Sequence, residues 1–240
     1  MSIRTEGGCV SDARLSEPRL LQPTARSPIE PPPPVIVLAG WEVSGRRASA
    51  DMASGTGLTI TDCTPLAKVQ VRAPVGGKAA AILRVRFGRA ARDAAGTLVV
   101  GSGPGEWLLL AAPGRAPDLE SRLASIAEQA PGEHVTWVDL THGRALMRLT
   151  GSPAASVLAR ICGIDLSDEI TPDGAAFRTA VGSLATDTVR DDVSGTRSYL
   201  LHCERSSGDY LFRALLRAGA DFGIEIDGFR LPPDHRPPAI

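Results

Sequence analysis

Residues 135–163, VTWVDLTHGRALMRLTGSPAASVLARICG, constrain the fold more than any other stretch of the chain. Val135 and Trp137 share a face of one short strand, and a turn follows at Asp139, Leu140, Thr141 and His142. Ala145, Met147 and Leu149 then alternate with Arg144, Leu146 and Arg148, the period of two that sends successive side chains to opposite faces of a sheet. Ser152 and Pro153 open a helix, with Ser as cap and Pro at the first helical position. Val157, Leu158 and Ile161 form its apolar stripe, and Gly163 stops it. The unit is strand, turn, strand, helix, and the flanking sequence supplies more of the same.

Upstream, strands are predicted over 58–61 and 66–73, on either side of a turn-prone segment at 62–65. Alternation predicts another over 80–87, with Leu83, Val85 and Phe87 on one face and Arg84 and Arg86 on the other. Residues 98–100 lead through GSGPG at 101–105 into a run over 107–112 that is apolar on both faces, which marks a central strand. A helix over 119–130 follows, capped by Asp118 and ended by Pro131 and Gly132. Downstream come one or two strands over 176–189, a turn at 191–195 and a strand over 198–203. Ser206 and Asp209 read as a capping box for a helix over 210–218 that Gly219 closes, before a short strand at 222–226. Strands grouped between helices, without strict β-α-β alternation, predict an α+β fold: an antiparallel or mixed sheet with helices on one side.

Residues 1–57 read as a Pro- and Gly-rich arm, extended or disordered; 58–228 as a single α+β domain; and 229–240 as a proline-rich tail. The arm carries four consecutive prolines at 31–34, a stiff spacer that leaves few backbone donors for regular structure. With 26 basic against 27 acidic residues, the chain has no electrostatic footprint for nucleic acid or an anionic membrane. No apolar run approaches the length of a membrane span, and the start lacks the apolar core of a secretory signal. The four cysteines are far apart and form no C-x-x-C pair, so a reduced, cytoplasmic setting is expected.

Few residues invite chemistry. GSGPG fails the dinucleotide fingerprint, because Glu106 stands where the third glycine belongs, and it lacks the Gly-Lys-Ser/Thr of a phosphate loop. It reads as a hairpin turn. Asp139 and His142 have the residue types of a general acid–base pair, but a histidine at a strand end also serves as a structural or interface residue. His134, His202 and His235 are scattered and propose no metal site. Cys162 and Cys203 fall on apolar faces as small core residues. Arg84, Arg86, Arg144, Arg148 and Arg178 lie on predicted strand faces, either solvated or paired with acidic groups of a partner. No catalytic, cofactor-binding or metal-binding residue is therefore assigned.

The segments LTITDCTPLAKVQVRA, GPGEWLLLAAPG, VDLTHGRALMRLTGSPAASVLARICGIDL, GAAFRTAVGSLAT and GDYLFRALLRAGADFGIEI resemble, in that order, the gamma subunit of heterotetrameric sarcosine oxidase. The resemblance covers about residues 58–226, and Ser27, Pro28 and Ile29 match a short segment near that subunit's start. It implies part of the folate-binding fold of the glycine-cleavage T protein. It also implies a complex that oxidises sarcosine to glycine with tetrahydrofolate as one-carbon acceptor. The alpha, beta and delta subunits would hold FAD, FMN, NAD, tetrahydrofolate and zinc, and this chain alone would lack the catalytic centre. Trp107, His142, Arg144, Arg148 and Arg178 are then the candidates for subunit contact. The alternatives are a stand-alone folate-dependent aminomethyltransferase and a gamma-like subunit of an oxidase or dehydrogenase for another N-methyl amine.

Overall fold

The computed structural model describes residues 23–45 and 57–231; what the sequence predicts for residues 1–22, 46–56 and 232–240 lies outside the described residues. Strand β8 (Glu106–Ala111) shows how the side chains are sorted. Trp107 and Leu109 point to one face, Leu108 and Leu110 to the other, and all four are buried. The strand sits inside a five-stranded sheet with β5 (Ala67–Arg72), β6 (Ala90–Arg92), β7 (Leu98–Gly103) and β9 (Thr136–Asp139), in the order β6-β7-β8-β5-β9. All its pairings are antiparallel.

A second sheet has six strands: β4 (Thr59–Asp62), β10 (Arg144–Thr150), β11 (Ala176–Val181), β12 (Leu184–Arg190), β13 (Ser198–Glu204) and β14 (Glu225–Asp227), in the order β11-β12-β13-β10-β4-β14. It is mixed, because β14 runs parallel to β4. The two sheets meet through Leu98, Val100, Leu108 and Leu110 on one side and Leu146, Val189 and Leu200 on the other. Each sheet is covered on its outer face by helices. α1 (Lys78–Leu83) and α2 (Ala116–Gln129) bury Leu83, Leu119, Leu123 and Ile126 against Val69, Val71 and Leu109. α3 (Ala154–Ala159) and α4 (Gly208–Gly219) bury Val157, Leu158, Leu211 and Leu215 against Met147, Leu149 and Leu201. Burying one such aliphatic side chain contributes roughly 1.5–3 kcal/mol, so aliphatic residues alone can hold these cores. The α+β reading is the fold observed, with two sheets sharing a core.

A third sheet lies where the sequence predicts only an arm. β1 (Ala25–Arg26), β2 (Val35–Leu38) and β3 (Trp41–Ser44) pair in the order β1-β3-β2. Trp41 and Val43 bury themselves with Phe229, a residue assigned by sequence to the C-terminal tail. The long-range partner that makes these strands worthwhile is invisible to a local pattern. Ile29 is 2% exposed and belongs to the core under α3 and α4.

Local expectations fail at further points. Residues 78–83 form α1, not the start of a strand. Its first N–H groups, those of Lys78 and Ala79, donate to the Glu133 carboxylate at 2.6 and 3.1 Å, a cap supplied from 54 and 55 residues away. Phe87, expected on a buried face, is 61% exposed in the loop that follows. Asp118, Ser152 and Ser206 cap nothing. α2 begins at Ala116 after Arg115, α3 begins after Pro153, and a short 3-10 turn (Arg205–Ser207) precedes α4. Asp118 pairs with Arg115 at 2.5 Å instead. GSGPG is a hairpin turn, as expected. At Gly101 a Cβ would sit 2.2 Å from the Arg86 carbonyl oxygen, and Gly105 has φ +72°, so two of its glycines answer to close backbone approach and a left-handed turn.

Candidate functional site

The turn at 139–143 lies where all three sheets meet. Asp139 Oδ1 accepts the Thr141 N–H at 2.7 Å, which closes the turn. The turn is laced to β5: the Leu140 N–H donates to the Lys68 carbonyl at 2.7 Å, and the Lys68 N–H donates to Thr141 Oγ1 at 3.1 Å. The Arg205 N–H donates to the Gly143 carbonyl at 3.2 Å, which ties the turn to the 3-10 turn before α4. The His142 ring stacks on Trp41 of β3, with centroids 4.8 Å apart and planes inclined by 7°. Asp139 and His142 therefore have separate partners: the carboxylate serves the backbone, and the imidazole serves the small sheet.

Beneath the turn lies a sealed polar knot. Lys68 is fully buried, and its Nζ donates to the carbonyls of Thr64 at 2.6 Å and Leu66 at 2.8 Å. Burial pulls its amine down to about 7, against the pull of Asp62 and Asp139 in the other direction. A neutral amine has two N–H groups, and two carbonyls receive them. Burial likewise pushes the Asp62 carboxyl above the usual carboxylate range, although Ser27 and Thr64 hydrogen-bond to it. The Thr64 hydroxyl accepts the Leu146 N–H at 3.2 Å, which joins β10 to the knot. Burial also pushes the Cys63 thiol up to about 12, so it is no nucleophile. A neutral lysine has the protonation state of a base or nucleophile, but this one is closed to solvent and its donors are spent on the backbone. The chemistry available to the knot is structural: it fixes β4, β5, β10 and the 139–143 turn together.

The other sequence candidates find partners inside the chain. Arg144 pairs with Glu204 at 2.7 Å. Arg148 holds Asp191 Oδ2 at 2.5 Å and Ser198 Oγ at 2.7 Å. Arg178 grips Asp187 with two hydrogen bonds of 2.7 and 2.8 Å. Burial works against the Asp187 charge, yet the neighbouring His202 ring and the Arg178 guanidinium bring its carboxyl down to about 2. Trp107 is buried, and its Nε1 donates to the Val85 carbonyl at 2.6 Å; it braces α1's exit and presents no face to a partner. Arg84 and Arg86 lie in the loop after α1, not on a strand. Among the described residues, no group of three or more His, Cys, Asp or Glu side chains could hold a metal ion. An open groove of about 400 Å³ is lined by Arg26, Pro28, Glu30, Pro31, Val35 and Glu42. It has no aromatic ring to stack a pterin, and its two carboxylates oppose the anionic tail of a folate.

Lys68 and Asp62 are what sequence reasoning missed. Lys68 alternates with Gln70 and Arg72 along β5, which reads as a solvated face, and of the three only Lys68 is buried, where the 139–143 turn covers the start of the strand.

No family model matches the sequence. A curated aminomethyltransferase of Geobacillus thermodenitrificans is 29% identical over 145 residues, which are 59% of this chain and 38% of that protein. The chain thus spans well under half the length of this curated relative. Among solved structures, the fold matches a chain of heterotetrameric sarcosine oxidase from Corynebacterium sp. U-96, with TM-score 0.59 and 23% identity, over 73% of this chain and 92% of that one. It also matches the glycine cleavage system aminomethyltransferase T of Bartonella henselae, with TM-score 0.59 and 16% identity, over 81% of this chain and 55% of that one. The α+β fold is of the T-protein type, as the sequence resemblance implies.

Proposed function

We propose that this chain is a non-catalytic, gamma-type subunit of a multi-subunit flavoprotein oxidase that demethylates sarcosine to glycine, with tetrahydrofolate accepting the one-carbon unit. The observation that carries this reading is one of extent. The match spans 92% of a sarcosine oxidase chain but 55% of the aminomethyltransferase structure, so of these two it is the oxidase chain that this fold matches nearly whole. The sealed junction supports it, since Thr64, Lys68, Asp139 and Thr141 spend their polar groups on internal partners. FAD, FMN, NAD, tetrahydrofolate and zinc would then reside in alpha, beta and delta partners, in a bacterial cytoplasm. The residues lining the 26–42 groove do not suit folate, so no binding step is assigned to them. The partner subunits choose the substrate, and another N-methyl amine would fit the same role.

The test is co-expression with the chains encoded beside this one. The expected outcome is that an affinity tag on this chain brings down a yellow complex that oxidises sarcosine, whereas the chain alone is colourless and inactive. A lone chain that is yellow and turns over sarcosine would overturn the reading.

A second reading, a stand-alone folate-dependent aminomethyltransferase, is favoured by the 29% identity to the curated enzyme. It requires saturable binding of tetrahydrofolate by the isolated chain. Calorimetry with no heat at high micromolar ligand would remove it.

A further inference from the structure

The small sheet sits on the junction without joining either large sheet: its three strands pair only with one another. Three buried apolar side chains hold it down, Ile29 in the core under α3 and α4, and Trp41 and Val43 against Phe229. Between residues 23 and 34, Ile29 alone is buried. A segment with so few buried contacts belongs to the least stable part of a native structure and opens without unfolding the rest.

What it sits on is the Lys68 knot. The Ser27 hydroxyl hydrogen-bonds to the Asp62 carboxyl. Trp41 packs in one cluster with Leu66, whose carbonyl accepts a Lys68 Nζ–H. Trp41 also stacks on His142 of the turn whose Thr141 hydroxyl accepts the Lys68 main-chain N–H. Arg205 joins the two layers: its N–H donates to the Gly143 carbonyl, and its guanidinium donates to the Arg26 carbonyl at 2.5 Å. The small sheet thus touches Asp62, Leu66 and the 139–143 turn, which together surround one buried amine.

We propose that residues 25–44 form a pH-dependent latch, which closes over the knot as Lys68 gives up its proton and lifts when the proton returns. In the closed state the amine donates to the Thr64 and Leu66 carbonyls, and a third N–H has no hydrogen-bond acceptor among the described residues. Lifting the latch readmits water, which solvates an ammonium. Burial sets the closed amine at about 7, whereas a solvated lysine holds its proton up to about pH 10. Closure therefore releases a proton between these values. It is favoured by rising pH, by up to about tenfold per unit, and is indifferent to Lys68 below the window. The groups facing the amine are Asp62 and Cys63 at the end of β4, Asp139 of the turn, Arg205 of the 3-10 turn and His202 of β13. Burial keeps the Cys63 thiol and the His202 ring neutral across the window. Asp62, whose carboxyl is raised by burial, acts in the opposite sense from the acid end.

The chain has two lysines, Lys68 and the exposed Lys78, so one serves as reference for the other. The experiment treats the full chain with acetic anhydride at pH 7, 8 and 9 and reads acetylation at both by mass spectrometry. Hydrogen-exchange protection of β3 and β8, corrected for intrinsic rates, is measured alongside. From pH 7 to pH 9 the ratio of Lys68 to Lys78 labelling is expected to fall, and β3 protection to rise, by at least about tenfold. Lys68 should be labelled in step with β3 exchange and faster than β8 exchange. The pH dependence in β3 should persist in His142→Phe, which keeps a ring on Trp41 without a titrating group, and vanish in Lys68→Met. A labelling ratio that does not change with pH, or Lys68 labelled only at the rate of β8 exchange, overturns the inference. So does a pH dependence in β3 that survives in Lys68→Met or disappears in His142→Phe. Should Lys68→Met fail to fold, the labelling of the wild type decides between these outcomes.

Discussion

Lys68 departs far from the ordinary behaviour of a lysine. Its folded value of about 7 lies below the ordinary lysine value, because burial opposes the ammonium. The unfolded chain then binds more protons than the folded one between about pH 7 and pH 10, so stability rises with pH across that window, by up to about 1.4 kcal/mol per unit. Below pH 7 the full penalty of protonating the amine is present. Urea midpoints measured from pH 6 to 10 should climb for wild type and stay flat over the same window for Lys68→Met. His142 gives a second prediction at this scale. It contributes through its stack on Trp41, and His142→Ala should cost about 0.5–1.5 kcal/mol. The loss should appear first as faster amide exchange in β3, with the two large sheets unaffected.

At the scale of elements, most strands of the two large sheets were legible and the short helix was not. Residues 144–150 alternate because Ala145, Met147 and Leu149 face the helices, whereas on the other face Leu146 alone is packed between the sheets and Arg144, Arg148 and Thr150 stay part-exposed in ion pairs and hydrogen bonds. α1 left no such trace. Its buried Ala79 and Leu83 make a stripe of only two residues, and its cap arrives from Glu133 across a different loop. Glu133→Ala should therefore destabilise the protein by about 1–2 kcal/mol, read as a lower urea midpoint together with loss of exchange protection in residues 80–84. β1 and β3 were hidden for the same reason: the side chains that bury Trp41 lie near residue 229. The candidate site was half legible. Asp139 to His142 stood out as unusual, but the partners that explain it, Lys68, Arg205 and Trp41, come from three distant parts of the chain.

At the scale of the whole molecule, the chain closes on itself. Trp41 and Val43 from the beginning share one small cluster with Phe229 from the end. Phe229→Ala should cost about 3–5 kcal/mol in that cluster, and limited proteolysis should then cut within residues 23–45 before the two-sheet core unfolds. β14 adds to the closure by pairing in parallel with β4. Synthesis on the ribosome proceeds from the other direction. Phe229 is made long after Trp41 and Val43, so the small cluster cannot close until residue 229 has left the exit tunnel. Until then Trp41 and Val43 of a nascent chain lack the side chain that buries them, and it is in that interval that a chaperone would find them.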